Sequence, residues 1–276
     1  MRKKISKIKV FKLFYYSLFY PIVNDNLKNT KIVKMLDPYT YSQHKLVSDI
    51  SRANRSTQSN SMSKVIDVGS GSQWPKKEFE NNNFTYLGGD VKDSSHFPKQ
   101  DFTLVDESLP FESNSTDIVL SFSVLEHLNS PMKSIQEAER ILKKGGMLVL
   151  QTNFLYQEHG TPHDYFRFTT NGLSHLTKKA GFTAITVTKI GNRLTLSQHN
   201  LLYWYLNHLN SVLGVYLKRK YLIRLLLGFP FFLFCLICLP LTLILFIYLS
   251  LVNLIGQYQS RKNNLFYTGV SLIAVK

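Results

Sequence analysis

The sequence predicts an α/β protein built on a doubly wound, mostly parallel sheet, and three observations predict it. Short β-branched runs bounded by turn residues recur from residue 64 onward. Segments with apolar residues at helical spacing fall between the later runs, and the first run ends in a glycine turn.

The elements follow in order. "KVIDVGS" from Lys64 is the first strand, "FTYLGGD" the second, "DFTLVD" the third and "TDIVLSFS" the fourth. In "SPMKSIQEAERILKKGG", Ile135, Ala138, Ile141 and Leu142 recur at helical spacing, and Gly145 and Gly146 mark a stop. "GGMLVLQT" is the fifth strand, "TTNGLSHLTKKAGF" a second helix of the same type, and "TAITVTKI" the sixth strand. Strands alternating with helices give a doubly wound sheet, whose ligands bind where the carboxyl ends of the strands diverge.

Four regions are expected. Residues 1–60 form a basic, aromatic N-terminal arm and linker, and 61–192 the core. Residues 193–262 form an inserted amphipathic and membrane-associated helical segment, and 263–276 the final core strand. With 33 Lys and Arg against 18 Asp and Glu, the formal charge is +15, which favours polyanions. The basic residues gather in "MRKKISKIKVFK" and in "KRKYLIR" beside an apolar run, a juxtamembrane arrangement, so no nucleic-acid partner is expected. The oligomeric state is not legible. Both cysteines, Cys235 and Cys238, lie within the apolar run and define no disulfide or metal framework.

From Leu225 to Ser260 no residue is charged. That exceeds the roughly 20 residues of one spanning helix and falls short of two full ones. Lys218, Arg219, Lys220 and Arg224 precede the run and Arg261 and Lys262 follow it, so the positive-inside rule puts both ends in the cytoplasm. Pro240 near the middle breaks a helix there. The expectation is a re-entrant or short hairpin anchor over residues 222–256 at the cytoplasmic face of the cell membrane.

The glycine turn carries the first chemical signal. In "VIDVGSGSQW", Gly69 and Gly71 let the backbone turn sharply and approach a ligand. A dinucleotide fingerprint requires a third glycine where Trp74 stands, and the acid Asp67 precedes the glycines, which suits a cationic ammonium or sulfonium ligand rather than a pyrophosphate. Asp90 ends the second strand, where a carboxylate can accept from both hydroxyls of a ribose. Asp106 or its neighbour Glu107 follows the third strand.

Taken together, "VIDVGSGSQ", "YLGGDV", "LPFESNSTDIVLSFSVLEHL", "ERILKKGGMLVLQTN" and "HDYFRFTTNGLSHLTKKAGF" resemble a class I S-adenosylmethionine-dependent methyltransferase of the type 11 group, over Lys64 to Ile190. "FYTGVSLIAVK" resembles the last strand of that fold. The resemblance implies a Rossmann-like, seven-stranded sheet with an antiparallel last strand, and S-adenosylmethionine as cofactor. It implies that Asp67, Gly69 and Gly71 line the methionine end, that Asp90 holds the ribose and that Asp106 lies by the adenine, with Ser70, Val91 and Glu107 beside them as further cofactor-binding residues. Ser123 and His127 belong to the cofactor-side loop after the fourth strand. The sequence departs from the family at Gln73, where a third glycine is usual, and the acid before "LPF" is displaced by one residue.

Methyl transfer from a sulfonium is an in-line displacement that depends mostly on alignment. A hydroxyl acceptor also needs a base, and "QEHGTPHDYFRFT" offers His163, His159 and Asp164 beyond the fifth strand, with His163 the first choice. No metal is expected, because Gly160-Thr161-Pro162 prevents the helix that would align His159 with His163. The apolar run directs the choice of acceptor to a small-molecule, lipid-linked or glycan-intermediate compound at the membrane. The rival readings are a non-catalytic, cofactor-binding membrane protein and a nucleic-acid methyltransferase.

Overall fold

In a computed structural model of the chain, residues 38–53, 62–91, 97–193 and 267–276 are described, with isolated positions between 196 and 248. The chain divides into two compact units, one of residues 39–191 with 267–276 and the other of residues 1–38 with 192–266. The first unit begins at Tyr39, inside the stretch read as arm and linker.

That unit holds seven strands: β1 (Ser63–Val68), β2 (Phe84–Asp90), β3 (Phe102–Thr103), β4 (Thr116–Phe122), β5 (Leu142–Asn153), β6 (Ala184–Ile190) and β7 (Gly269–Val275). Their order across the sheet is β3-β2-β1-β4-β5-β7-β6. β1 to β5 pair in parallel, while β7 runs antiparallel between β5 and β6. The order reverses between β1 and β4, so the carboxyl ends of these two strands open the crevice in which such sheets bind ligands.

The sequence explains the two-sided burial. Along β1, Val65 packs on one side with Phe79, Phe84, Tyr86, Ile118, Leu120 and Val149, whereas Ile66 and Val68 pack on the other with Val119, Leu148, Leu150 and Leu272. Strands covered on both faces read as continuous apolar runs, as "VIDV" and "DIVL" do. Helices α1 (Pro38–Ala53) and α2 (Lys76–Glu80) cover the first face through Val47, Ile50 and Phe79. Helices α3 (Pro131–Ile141) and α4 (Thr170–Lys179) cover the second through Ile135, Ala138, Ile141 and Leu173.

Some elements differ from the sequence expectation. Helix α1 has no counterpart in it, because "PYTYSQHKLVSDISRA" carries a single narrow apolar stripe among polar residues. β3 is two residues long rather than six: its pairing ends at Thr103, and the left-handed Asp106 and Glu107 fold the following residues into a tight turn closed by the Val105–Ser108 bridge. α3 ends at Ile141, before the glycines at 145 and 146, and β5 begins at once.

No helix among the described residues is long and apolar enough to cross a membrane. The expected anchor over 222–256 lies outside the described residues except at a few isolated positions, so the membrane part of the fold expectation has no structural support.

Candidate active site

β1 delivers the glycine turn and β2 receives it. Gly69 and Ser70 donate their backbone N–H groups to the Gly89 carbonyl at 2.8 and 3.0 Å. Gly69 has φ +70°, and a Cβ there would lie 2.4 Å from Val124 Cγ2, so the residue after Ser123 roofs the turn only because the position is glycine. Gly89 likewise makes room, since its Cβ would fall 2.2 Å from the ring of Phe102.

Asp90 locks the cradle. Its Oδ2 accepts the Gly71 N–H at 2.9 Å and its Oδ1 accepts the Val91 N–H at 2.7 Å. A carboxylate oxygen has two lone pairs, so each oxygen keeps a further acceptor site at the strand tip, and two acceptors side by side match a ribose diol. Asp67 is 3% exposed and accepts a hydrogen bond from the Tyr86 hydroxyl. Burial pushes its carboxyl up to about 7, against the Tyr86 hydrogen bond, with the nearby Asp90 charge adding to the rise. A cationic ligand beside it would reverse that shift. Gln151 Oε1, a buried acceptor on β5, has no hydrogen-bond partner among the described residues. Positive-φ glycines, a diol-matching carboxylate and buried acceptors fit a cationic, nucleoside-bearing cofactor.

The departure at Gln73 has a structural role. Gln73 has φ 53° and directs its side-chain amide to the Lys99 carbonyl at 3.2 Å and to Gln100 Oε1 at 3.1 Å. Gln100 accepts from Ser70 Oγ at 2.6 Å and donates to the Gly71 carbonyl at 3.0 Å. These two glutamines tie the turn to the segment before β3. Nothing in the local pattern of the sequence marks Gln100, whose partners in the turn, Ser70, Gly71 and Gln73, are 27 to 30 residues away.

The remaining cofactor-side residues are placed as follows. Val91 is exposed at the tip of β2. Asp106 is exposed, and its carbonyl accepts from Lys133 Nζ. Glu107 directs Oε1 to the Ser130 N–H at 3.4 Å, beside the start of α3. Ser123 has φ 58° and hydrogen-bonds the Tyr39 hydroxyl at 2.9 Å, while the Tyr39 carbonyl accepts from Gln151 Nε2 at 3.0 Å. The first residues of α1 thus contact the ends of β4 and β5.

The loop after β5 meets the loop after β4. Glu126, fully buried, accepts from Thr152 Oγ1 at 2.8 Å and from Asn153 Nδ2 at 2.7 Å. Its carbonyl accepts the N–H groups of Tyr165 and Phe166, which pins the second loop down. Asp164 takes a bidentate pair from Arg167 at 2.5 and 2.7 Å and also accepts the His159 N–H at 2.7 Å. The guanidinium holds its carboxyl well below the usual carboxylate range, outweighing the rise from burial, and the His159 N–H adds to the fall. The imidazole of His159 is pushed down by burial and stacks edge-on with His127 at 4.7 Å. His163 is exposed, with Nδ1 2.8 Å from the Tyr165 hydroxyl. The structure therefore gathers Glu126, His127 and His159, with Asp164 held against His159, and leaves the His163 ring outside that group.

Residues 66–150 match the family described as "Methyltransferase domain". The tRNA U34 carboxymethyltransferase of Psychrobacter cryohalolentis is 34% identical over 103 residues, 33% of this chain and 28% of that protein. Its counterpart in Psychrobacter arcticus is 37% identical over 90 residues, 29% of this chain and 26% of that protein. The matched stretch thus spans little more than a quarter of these relatives. Phosphoethanolamine N-methyltransferase 2 of Haemonchus contortus, crystallised with S-adenosyl-L-methionine, has a TM-score of 0.44 at 16% identity, covering 83% of this chain and 52% of that one. The two tRNA-modifying relatives overturn the expectation that nucleic acid is excluded as a partner. That expectation rested on where the basic clusters fall in the sequence, and a charge of +15 attracts RNA as readily as an anionic membrane. The match falls on the strands and loops that form the glycine cradle: residues 66–150 form a methyltransferase domain of the type 11 group, and the cradle they build fits S-adenosylmethionine as cofactor.

Proposed function

We propose that this chain transfers a methyl group from S-adenosylmethionine to an acceptor held over the ends of β4 and β5. The observation that carries the reading is the Asp90 carboxylate locked onto the Gly71 N–H at 2.9 Å, which forms a diol-binding edge beside a turn that only glycine can make. When bound, the cofactor supplies an electrophilic methyl on a sulfonium. Asp67, Gly69, Ser70 and Gly71 hold its methionine end, Asp90 and Val91 its ribose, and Asp106 and Glu107 its adenine side. Ser123 and His127 border it from the loop after β4.

On the acceptor side, His163 is the group we assign to receive a proton. Its ring is exposed and steadied by Tyr165. Asp164 and His159 serve it by fixing the loop, through Arg167 and the His159 N–H. The uncharged run from Leu225 to Ser260 supports an acceptor at the cytoplasmic face of the membrane, lipid-linked, glycan-intermediate or small-molecule, with residues 222–256 as anchor. A second reading, an RNA acceptor, is favoured by the two tRNA-modifying relatives and the net charge of +15.

The test is incubation of purified full-length protein and methyl-labelled S-adenosylmethionine with membrane lipid extract and, separately, with total tRNA. Label in the lipid fraction supports the first reading and nuclease-sensitive label supports the second. In either case His163→Gln is expected to lower turnover about 100-fold or more with cofactor affinity retained. Equal turnover by that variant would remove His163 from its role. Tight cofactor binding with no product from either extract would favour a non-catalytic cofactor-binding protein.

A further inference from the structure

We propose that Glu126, His127 and His159 hold a divalent transition-metal cation of the zinc class, a ligand that neither the sequence expectation nor the proposed methyl transfer assigns to them. One donor atom of each residue lies within 4.8 Å of the other two. A carboxylate and two imidazoles form a mixed N/O donor set suited to zinc and its neighbours, and three protein ligands leave one position for water.

The hydrogen bonds around the two rings fix which nitrogen of each carries the proton. His127 Nδ1 lies 2.5 Å from the His163 carbonyl, and a carbonyl only accepts, so that nitrogen carries the proton. His159 Nδ1 lies 3.1 Å from the Gln157 carbonyl and 3.3 Å from the Asp164 carboxylate, again two acceptors. Each ring therefore keeps its lone pair on Nε2. This is the arrangement of metal-bound histidines, whose outer N–H is held by a carbonyl or carboxylate.

His159 Nε2 faces Glu126 Oε1 at 3.9 Å, two electron-pair donors directed at each other. The Asn153 amide is the donor nearby, at 2.7 Å from Glu126 Oε1 and 3.5 Å from His159 Nε2. A cation would take the His159 lone pair, which the amide reaches only at the limit of hydrogen-bond distance, together with the second lone pair of Glu126 Oε1. Glu126 is fully buried and His159 is 28% exposed on its side chain, so the carboxylate forms the floor of the site and the histidines its mouth.

The experiment is equilibrium titration of chelator-stripped full-length protein with Zn²⁺ and with Co²⁺, whose visible absorption reports the geometry and donor type. The expected result is one metal per chain with an N/O spectrum lacking thiolate charge transfer, and affinity reduced about 100-fold or more in His127→Ala and in His159→Ala. His127 lies partly at the surface, so a cooperative thermal transition near the wild-type value is expected for that variant and separates loss of the site from loss of the fold. Cys235→Ser with Cys238→Ser is expected to bind as wild type. The proposal is overturned if wild type binds neither metal below about 1 mM, if the two histidine variants bind as tightly as wild type, or if the double cysteine variant abolishes binding. Because the readout is metal binding, it holds whether or not methyl transfer is detected.

Discussion

Asp67 shows how one buried residue couples the cofactor cradle to pH. Its carboxyl sits at about 7 when folded, against an ordinary value near 4, so between those values the folded chain holds a proton that the unfolded chain has released. The stability this contributes is present in acid and is lost as pH rises from about 4 to about 7, by a few kcal/mol at most. Asp67→Asn should remove that slope, leaving the unliganded variant more stable than wild type at pH 8. Urea denaturation at pH 5 and pH 8 measures it, and parallel profiles for the two proteins would contradict the assignment.

Gly69 makes a second prediction at the same scale. An added Cβ meets Val124 Cγ2 at 2.4 Å at a φ of +70°, so Gly69→Ala should cost about 1–3 kcal/mol. Val124→Ala in the same chain should recover part of the loss by removing the clash while leaving the backbone strain. A double-mutant cycle on thermal stability reads the coupling; strict additivity would place Val124 away from the turn. The need for glycine was legible in "VGSG", but the residue it yields to, 55 positions later, was not, because a short-range pattern carries no information on what packs above a turn.

At the scale of elements, the strands were legible wherever burial on both faces made a continuous apolar run, as in β1, β4 and β5. β3 was not, because two paired residues leave too short a pattern to separate from the loop around them. α1 was missed because its contribution is carried by a few residues, Val47 and Ile50 under the sheet and Tyr39 at the strand ends. The loop after β5 was found by its residue types, but residue types do not show how deeply its Arg167–Asp164 pair is buried. The Asp164 side chain is in fact 1% exposed beneath Arg167.

That burial sets the expectation for the loop. Asp164→Asn should destabilise by about 2–4 kcal/mol, since it leaves a partly buried guanidinium without its bidentate partner. The carboxyl is held low, so its contribution is present above about pH 4 and is lost only as pH falls through the folded value. Limited proteolysis at neutral pH should cut within residues 154–168 of the variant sooner than in wild type. Identical cleavage of the two would mean that the Arg167 pair does not hold the loop.

For the whole molecule, the sheet order explains why a last strand so far along the chain returns to the core. β7 fills the slot between β5 and β6, with Leu272 and Ala274 fully buried, so residues 192–266 are an excursion from one folded unit. The excursion was legible in the sequence because "YTGVSLIAVK" keeps the apolar pattern of a buried strand after a long uncharged run. The acceptor was not, because neither the fold nor the net charge distinguishes an anionic lipid surface from RNA.

The central claim is that carboxylate and glycine groups at the tips of β1 and β2 bind S-adenosylmethionine, and titration calorimetry of the purified chain tests it most directly. The account predicts one cofactor per chain, with affinity reduced about 10- to 100-fold in Asp90→Ala, the loss of a charged acceptor. No binding by wild type, or binding by Asp90→Ala as tight as by wild type, would contradict it.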